Sequence, residues 1–224
     1  SYNAFGQVLT HQQRNGGVET NVYSTTGLLT SFTNAENETT TYTYNSRDLI
    51  ETMTDPRGNT TAYAYNDRGQ VTAQTLPAVG GVVSTLTFVY DDFGNLVEQS
   101  NELSNVWSST YDEFKRLTST TDPLNRTTSV AYGEPGGGCS ACNTQAKPVL
   151  ITLPTGRQRK FAYDLKWNLI TETAGFGTPQ AATTTYAYDA SDNVTAVMDP
   201  EGNTTTMAYD NRDRRIWVKD ALLR

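Results

Sequence analysis

The sequence is short of the residues that most enzymes and metalloproteins use for chemistry. Its 224 residues contain one histidine, His11, and two cysteines, Cys139 and Cys142. A tetrahedral zinc site needs four ligands. One histidine and two cysteines are too few to complete a Cys/His zinc site within this chain. No nucleophile stands in a catalytic context near His11, and no Asp-x-Asp-x-Asn-Gly calcium loop is present. The sequence therefore predicts no enzyme, no cofactor and no closed metal site.

Long apolar runs and basic stripes are also missing. Hydrophobic residues make up 36% of the chain, and no run of 18 apolar residues exists that could form a membrane-spanning helix. The formal net charge is −7, whereas a nucleic-acid-binding surface needs a basic stripe. The densest basic cluster, at Arg212, Arg214 and Arg215, is interleaved with Asp210 and Asp213 and indicates a solvated turn. We expect no nucleic-acid partner and no membrane span.

What the sequence has instead is an internal repeat marked by tyrosine. Successive marker tyrosines are separated by 21, 21, 21, 25, 21, 21, 31, 25 and 21 residues. A spacing that keeps returning to one value indicates one supersecondary unit copied many times. We call these residues the ladder tyrosines: Tyr2, Tyr23, Tyr44, Tyr65, Tyr90, Tyr111, Tyr132, Tyr163, Tyr188 and Tyr209.

Each ladder tyrosine ends one strand pattern and opens a turn. In residues 65–71 (YNDRGQV) and 90–96 (YDDFGNL), Asn or Asp follows the tyrosine and a Gly stands three positions further on. An aliphatic residue then begins the second strand. An aromatic or apolar residue usually stands two positions before the tyrosine, which is typical of a strand with one apolar face. A second turn follows eleven residues later, as in 55–59 (DPRGN) and 199–203 (DPEGN). The pattern predicts two strands of about six residues in each 21-residue repeat.

The composition predicts a sheet without a conventional dry core. Threonine is the most frequent residue, with 37 copies; it favours strands and cross-strand ladders but supplies little apolar volume. About twenty strands at roughly 4.8 Å spacing would form a strip that curls or splits. We expect an all-β fold, a curled antiparallel meander or β-solenoid around a hollow. Tyrosines and threonines would line one face, and the other face would be wet.

The repeat predicts a single array over residues 1–224, with insertions near 76–85, 134–155 and 174–182. Ser1 stands directly before a ladder tyrosine, and Arg224 falls inside the place of a closing turn. Both ends therefore look cut from a longer array. Unpaired strand edges template pairing with other chains. We expect the isolated array to self-associate through residues 1–12 or 209–224.

The tyrosine cassettes and Asp-Pro-x-Gly-Asn turns, alternating at a 21-residue period, resemble the Rhs/YD-repeat family over essentially the whole chain outside the insertions. The resemblance implies a long spiralling β-strip that forms a hollow shell, as in Rhs effectors, insecticidal toxin complexes and teneurins. It implies a structural, non-catalytic role, in which the shell encloses a C-terminal toxin or other polypeptide. The implied partners are that cargo and the flanking repeats of the parent chain. The implied location of the parent is secreted or at the cell surface.

Two features leave alternatives open. Cys139 and Cys142 form a Cys-x-x-Cys pair, which is compatible with a local disulfide, two free thiols, or a metal or redox pair. The ladder tyrosines form first of all a structural ladder, but open rings would also suit stacking against sugars. The alternative function is therefore a carbohydrate- or cell-surface-binding repeat module. Tyrosines packed against neighbouring repeats favour the shell, whereas rings open on one face favour the sugar platform.

Overall fold

The computed structural model describes residues 1–133 and 147–221, which contain strands and turns but no helix. Nothing helical in this part of the chain could therefore cross a membrane. Contacts divide the chain into two units, Ser1–Trp107 and Ser108–Arg224. Within each unit, every strand is antiparallel to the next strand along the chain. The predicted all-β antiparallel meander is confirmed.

The strands of the first unit are β1 (Thr10–Gln12), β2 (Val18–Tyr23), β3 (Leu29–Thr33), β4 (Thr39–Tyr44), β5 (Ile50–Thr54), β6 (Thr60–Tyr65), β7 (Val71–Thr75), β8 (Thr85–Tyr90) and β9 (Leu96–Ser100). The unit boundary falls within β10 (Val106–Tyr111). The strands that follow are β11 (Leu117–Thr121), β12 (Thr127–Gly133), β13 (Lys147–Thr152), β14 (Gln158–Tyr163), β15 (Leu169–Ala174), β16 (Ala182–Tyr188), β17 (Val194–Met198), β18 (Thr204–Tyr209) and β19 (Arg215–Lys219).

A regular repeat pairs a six-residue strand, which ends at a ladder tyrosine, with a five-residue strand; β4 and β5 are an example. The shorter strand carries a β-bulge beside the tyrosine. Thr43 pairs with Thr52, but Tyr44 pairs with Ile50, so one residue of β5 has no direct partner. The same shift adjoins nine of the ten ladder tyrosines, all except Tyr2. Bulges bend a strand locally and increase its twist.

Sixteen turns of the described residues share one hydrogen-bond pattern, although they come from two different sequence patterns. In the turn at 55–59, the Asp55 N–H donates to the Asn59 carbonyl and the Gly58 N–H donates to the Asp55 carbonyl, both at 2.9 Å. The fourth turn residue has positive φ in all sixteen turns, and in eight of them it is glycine. The other eight are Asn37, Asp48, Ser104, Lys115, Asn125, Trp167, Asp192 and Asp213.

Gly58 allows this backbone requirement to be tested on its own. Its φ is +82°, and nothing lies within 4 Å of the position that a Cβ would take. We expect Gly58→Val to lower the free energy of unfolding by about 1–2 kcal/mol, because L-residues resist the left-handed conformation. Gly58→Asn should lose much less, since Asn37 and Asn125 already occupy this turn position. Urea unfolding measures both variants, and equal losses would contradict the backbone explanation.

The two faces of the strands carry different side chains. Thr41 pairs with Thr54, which pairs in turn with Thr60, while the neighbouring Tyr42 pairs with Met53 on the other face. The ladder tyrosines share the tyrosine face with the apolar residues two positions before them. Most strand threonines lie on the opposite, threonine face. The expectation that both residue types line one face holds only in part, for threonines four positions before a ladder tyrosine, such as Thr61. Alternation within a Thr-Tyr-Thr-Tyr strand places most other threonines on the opposite face.

Burial within the described residues is shallow throughout. Thr61 alone is buried, with 8% of its surface exposed, and no large side chain there is fully buried. The rings and aliphatic side chains of the tyrosine face are mostly half-buried against neighbouring strands. Stability must therefore come from many partly buried contacts and hydrogen bonds between neighbours, as the low aliphatic content predicts.

The insertions interrupt the regular turns. Residues 76–84 extend the connection from β7 to β8, closed by a hydrogen bond of 2.8 Å from the Leu76 N–H to the Ser84 carbonyl. Residues 175–181 extend the connection from β15 to β16. The predicted insertion at 134–155 is too long, because 147–152 form β13 and 153–157 form a regular turn. Cys139 and Cys142 lie outside the described residues, so the alternatives for this pair stay predictions.

Candidate functional site

The ladder tyrosines carry a hydrogen bond that joins successive repeats. The Tyr65 hydroxyl donates to the backbone carbonyl of Ile50 at 2.7 Å, and Ile50 is the strand partner of the preceding ladder tyrosine, Tyr44. Tyr44 donates in the same way to the Leu29 carbonyl at 2.7 Å, and Leu29 is the strand partner of Tyr23. Each hydroxyl thus reaches back to the bulge of the preceding repeat.

Six ladder tyrosines make this bond, at oxygen–oxygen distances of 2.7 to 3.1 Å. The donor–acceptor pairs are Tyr23 to Val8, Tyr44 to Leu29, Tyr65 to Ile50, Tyr132 to Leu117, Tyr163 to Pro148 and Tyr188 to Leu169. The separation is 15 residues in every pair except the last, where the insertion at 175–181 makes it 19. We call this set of bonds the hydroxyl ladder.

The surroundings of the rings keep these hydroxyls protonated. Desolvation by burial raises the pKa of five of them above the usual range, at Tyr44, Tyr65, Tyr132, Tyr163 and Tyr188. A phenol with a raised pKa remains a hydrogen-bond donor at neutral pH.

The first and last ladder tyrosines differ from the rest. Tyr2 is 70% exposed and pairs with Val8 through an isolated bridge. The Tyr209 hydroxyl lies 3.9 Å from Met207 Sδ. Neither of these two terminal tyrosines therefore takes part in the hydroxyl ladder.

The first residue of each turn is the second recurring element. Asp91 Oδ1 accepts hydrogen bonds from the N–H groups of Phe93 and Asn95 at 2.9 Å, and Oδ2 accepts one from Asn95 Nδ2 at 2.8 Å. The Asn66 amide oxygen does the same work, accepting from the N–H groups two and four residues later at 3.0 Å. Asn and Asp side chains satisfy turn backbone in this way. This bonding explains why the residue after a ladder tyrosine is usually Asn or Asp.

Hydrogen bonding lowers the pKa of the first-position aspartates. The bond from the side chain of the fifth turn residue is the largest cause at Asp55, Asp122, Asp199 and Asp210. At Asp189 the largest cause is the backbone bond from Asn193. Desolvation, which raises the pKa, is the largest single influence at Asp91, Asp112 and Asp164, but the hydrogen bonds together outweigh it. All eight carboxylates are therefore stabilised in their charged form.

The two units differ in how their turns begin. Of nine such turns in the first unit, two begin with Asp, and most of the others begin with Asn. Of seven in the described part of the second unit, six begin with Asp. An amide does not titrate, whereas a carboxylate loses its acceptor role when it is protonated. The two units should consequently respond differently to acid.

Side chains also join the turns that follow ladder tyrosines. Gln70 Nε2 donates to the Gly94 carbonyl at 2.9 Å, so the fifth residue of one turn reaches the fourth residue of the next. The same link joins Asn168 Nδ2 to Asp192 Oδ1 at 2.8 Å. These bonds add a second column of contacts between repeats, beside the hydroxyl ladder.

Trp167 is the bulkiest residue in a positive-φ turn position, with φ of +71°. Bulky residues rarely adopt this conformation. Lys147 Nζ donates to the Trp167 carbonyl at 2.8 Å and lies 5.2 Å from the ring centroid of Tyr163 and 5.9 Å from that of Trp167. Cation–π attraction of this kind stabilises the turn and offsets its backbone strain.

Hydroxyl pairs recur on the threonine face. Threonine side chains on adjacent strands lie 2.7 to 3.3 Å apart, and the pairs are Thr33–Thr39, Thr43–Thr52, Thr54–Thr60, Thr75–Thr85, Thr121–Thr127 and Thr173–Thr183. The predicted cross-strand threonine ladder is confirmed. Much of the hydrogen-bonding capacity of this face is therefore used within the sheet.

No group of three or more His, Cys, Asp or Glu side chains within residues 1–133 and 147–221 could hold a metal ion. His11 lies opposite Glu19 across β1 and β2. The aspartates with shifted pKa values are engaged in turns, so their shifts have a structural explanation.

Sequence reasoning located the tyrosines but missed the carbonyls that accept their hydroxyls. A signal was present: all ten ladder positions hold tyrosine and none holds phenylalanine. The positions two residues earlier, in contrast, hold Tyr, Phe, Val, Met, Asn or Ser. Strict retention of the hydroxyl within one sequence indicates that the hydroxyl itself has a partner.

Comparison with known proteins places the repeat in a family. The Teneurin YD-shell family model matches residues 1–82, and the RHS Repeat model matches residues 90–131 and 188–221. A search of curated proteins finds no match.

Solved structures give the same fold. The crystal structure of TcdB2-TccC3-Cdc42 is 19% identical with a TM-score of 0.69, over 94% of this chain and 13% of that chain. The TcdB2-TccC3-TEV crystal structure is 19% identical with a TM-score of 0.68, over 98% and 13%. A Photorhabdus luminescens Tc holotoxin pore with a TccC3 substitution is 20% identical with a TM-score of 0.68, over 94% and 12%. This chain thus spans a small part of the length of each. The solved structures show the fold. The two family models, which together match residues 1–82, 90–131 and 188–221, identify the chain as a member of the Rhs/YD-repeat family.

Proposed function

We propose that this chain is a structural, non-catalytic segment of a shell that encloses another polypeptide, such as a C-terminal toxin. The observation that carries the proposal is the hydroxyl ladder, because it ties six of the repeats to the repeat before them. Arrays held by nearest-neighbour contacts grow by adding units. A secreted or cell-surface parent protein is part of this proposal.

Besides the cargo, we propose that the flanking repeats of the parent chain are partners of this segment. All five residues of β19 are exposed, among them Ile216 at 60%, Trp217 at 48% and Val218 at 44%. A further antiparallel strand would cover these apolar side chains and satisfy the open edge of β19. In the isolated array a second copy of the chain would serve the same purpose. A single continuous array over residues 1–224 belongs to the same proposal.

The alternative of sugar stacking on the ladder tyrosines is less well supported. Nine of the ten rings are half-buried, and six hydroxyls are bonded to the preceding repeat. A sugar platform needs an open ring face. Tyr2 alone among these tyrosines is exposed.

Protease protection in the full-length polypeptide that carries these repeats tests the shell. A segment enclosed by the shell should resist protease while the repeats are folded, and become cleavable at the urea concentration that unfolds them. A protease site placed between Val79 and Val82, which are 82% and 66% exposed, provides an internal control that must be cut in the folded protein. Cleavage of every segment outside the array at the same rate as this control would overturn enclosure.

A further inference from the structure

One cavity departs from the repeat. It lies in the second unit, where residues 175–181 replace a five-residue turn, and has a volume of about 490 Å³. Small-molecule sites typically measure roughly 300–1,000 Å³. Ala174 and Ala182, which line it, pair with each other, and Ala174 also pairs with Arg159. These additional cross-strand pairs exist because β15 and β16 are each one residue longer than the corresponding strands of the regular repeat.

The loop beside the cavity is held by defined contacts. The Phe176 N–H donates to the Gln158 carbonyl at 3.0 Å, and Lys160 Nζ lies 4.5 Å from the Phe176 ring centroid. Thr178 Oγ1 donates to the Gly175 carbonyl at 2.7 Å. The insertion is thereby fastened to β14, which contributes two further residues to the cavity lining.

The cavity carries an uncompensated positive charge. Arg157 and Arg159 both line it. Arg159 forms an ion pair with Glu172, whereas Arg157 has no ion-pair partner among the residues that the structure describes. The guanidinium group is a planar fork that suits a carboxylate in a bidentate arrangement. The charge and shape of Arg157 therefore favour a carboxylate ligand.

The rest of the lining combines polar and apolar groups. Gln158 and Gln180 contribute side-chain amides, which both donate and accept hydrogen bonds, as sugar hydroxyls require. Gln158 Nε2 makes a long contact of 3.4 Å with Thr152 Oγ1. Leu153 and the two alanines offer apolar surface, which suits the C–H face of a sugar ring.

We propose that this cavity binds the carboxylate of an acidic sugar, such as a uronic acid unit. The guanidinium of Arg157 binds the carboxylate, the glutamine amides bind ring hydroxyls, and the apolar floor contacts the ring. The inference does not depend on the shell proposal, because it uses an insertion that the regular repeat lacks.

Calorimetric titration of the 224-residue chain with glucuronate tests the site, with glucose and N-acetylglutamate as comparison ligands. We expect glucuronate to bind at least about tenfold more tightly than glucose, which lacks the charged partner for Arg157. Arg157→Gln should weaken glucuronate binding at least about tenfold. Arg126→Gln is the matched control, since Arg126 holds the same fifth turn position but lies outside the cavity lining. Thermal unfolding of each variant checks that its fold is retained.

Ala182→Leu gives a second test that leaves the charge in place. The larger side chain should fill the floor of the cavity and also reduce glucuronate affinity. Absence of glucuronate binding, equal binding of glucose, or binding unaffected by Arg157→Gln would overturn the site. Tighter binding of N-acetylglutamate than of glucuronate would overturn the sugar assignment and point to a peptide-like acid.

Discussion

Replacing Tyr65 with alanine is expected to lower the free energy of unfolding by about 2–3 kcal/mol, through loss of both a half-buried ring and a hydrogen bond. The hydroxyl lies 2.7 Å from the Ile50 carbonyl, so the substitution cuts the tie to the preceding repeat. The ring is half-buried, which keeps the loss below that of a fully buried aromatic residue. Urea unfolding followed by circular dichroism measures the change in midpoint.

Two variants separate the contributions of ring and hydroxyl. Tyr65→Phe keeps the ring and should cost about 1 kcal/mol, the usual net worth of one hydrogen bond. Tyr2→Ala removes a ring that is 70% exposed and should cost less than about 1 kcal/mol. Similar losses at Tyr2 and Tyr65 would contradict an array held by nearest-neighbour contacts. An unchanged Tyr65→Phe variant would show that the hydroxyl ladder adds nothing to stability.

Acid is expected to unfold the second unit, Ser108–Arg224, before the first, Ser1–Trp107. The folded-state pKa values of the first-position aspartates lie below the unfolded value of about 3.9. The unfolded chain therefore binds protons more readily than the folded chain. The stabilisation is fully present above about pH 4 and is lost as the pH falls through the lower, folded-state values. Six of the eight carboxylates belong to the second unit.

Pepsin digestion between pH 4 and pH 2 measures this difference, because pepsin is active in acid and cleaves unfolded segments. Cleavage sites within 108–221 should appear at a higher pH than sites within 1–107. Asp189→Asn provides the control. Asparagine is already the first residue of several turns in the first unit, and its side chain does not titrate. That variant should move the acid transition of the second unit to lower pH. Simultaneous cleavage of both units, or no shift with Asp189→Asn, would contradict the assignment to these turns.

Much of the fold could be predicted because its information is local. The 21-residue period, the alternation before each ladder tyrosine and the Asn, Asp and Gly positions all act within a few residues of one another. Turn residues near 55–59 and 199–203 fold as the sequence predicts. The sequence does not reveal the β-bulge beside a ladder tyrosine, such as the unpaired residue between Ile50 and Thr52.

The placement of most threonines on the face opposite the ladder tyrosines could also have been predicted, since alternation in residues 39–44 (TTTYTY) is sufficient for it. The contrary expectation came from treating Thr as a filler of the tyrosine face. Threonine contributes instead through hydroxyl pairs such as Thr54–Thr60, at 2.8 Å. Composition alone carries no information on which side of a strand a residue lies.

The sequence by itself determined the repeat, the order of strands and turns, and the positions of the ladder tyrosines, because each depends on neighbours along the chain. The tertiary structure decided what those tyrosines do: Tyr65 reaches Ile50, 15 residues away, because a bulge and the turn at 55–59 bring that carbonyl to the hydroxyl. It likewise decided that Arg157 and Gln180, 23 positions apart in the sequence, line one cavity. Contacts between strands depend on their register. Register is set when segments that are separate in the sequence pair with each other, so no single segment specifies it.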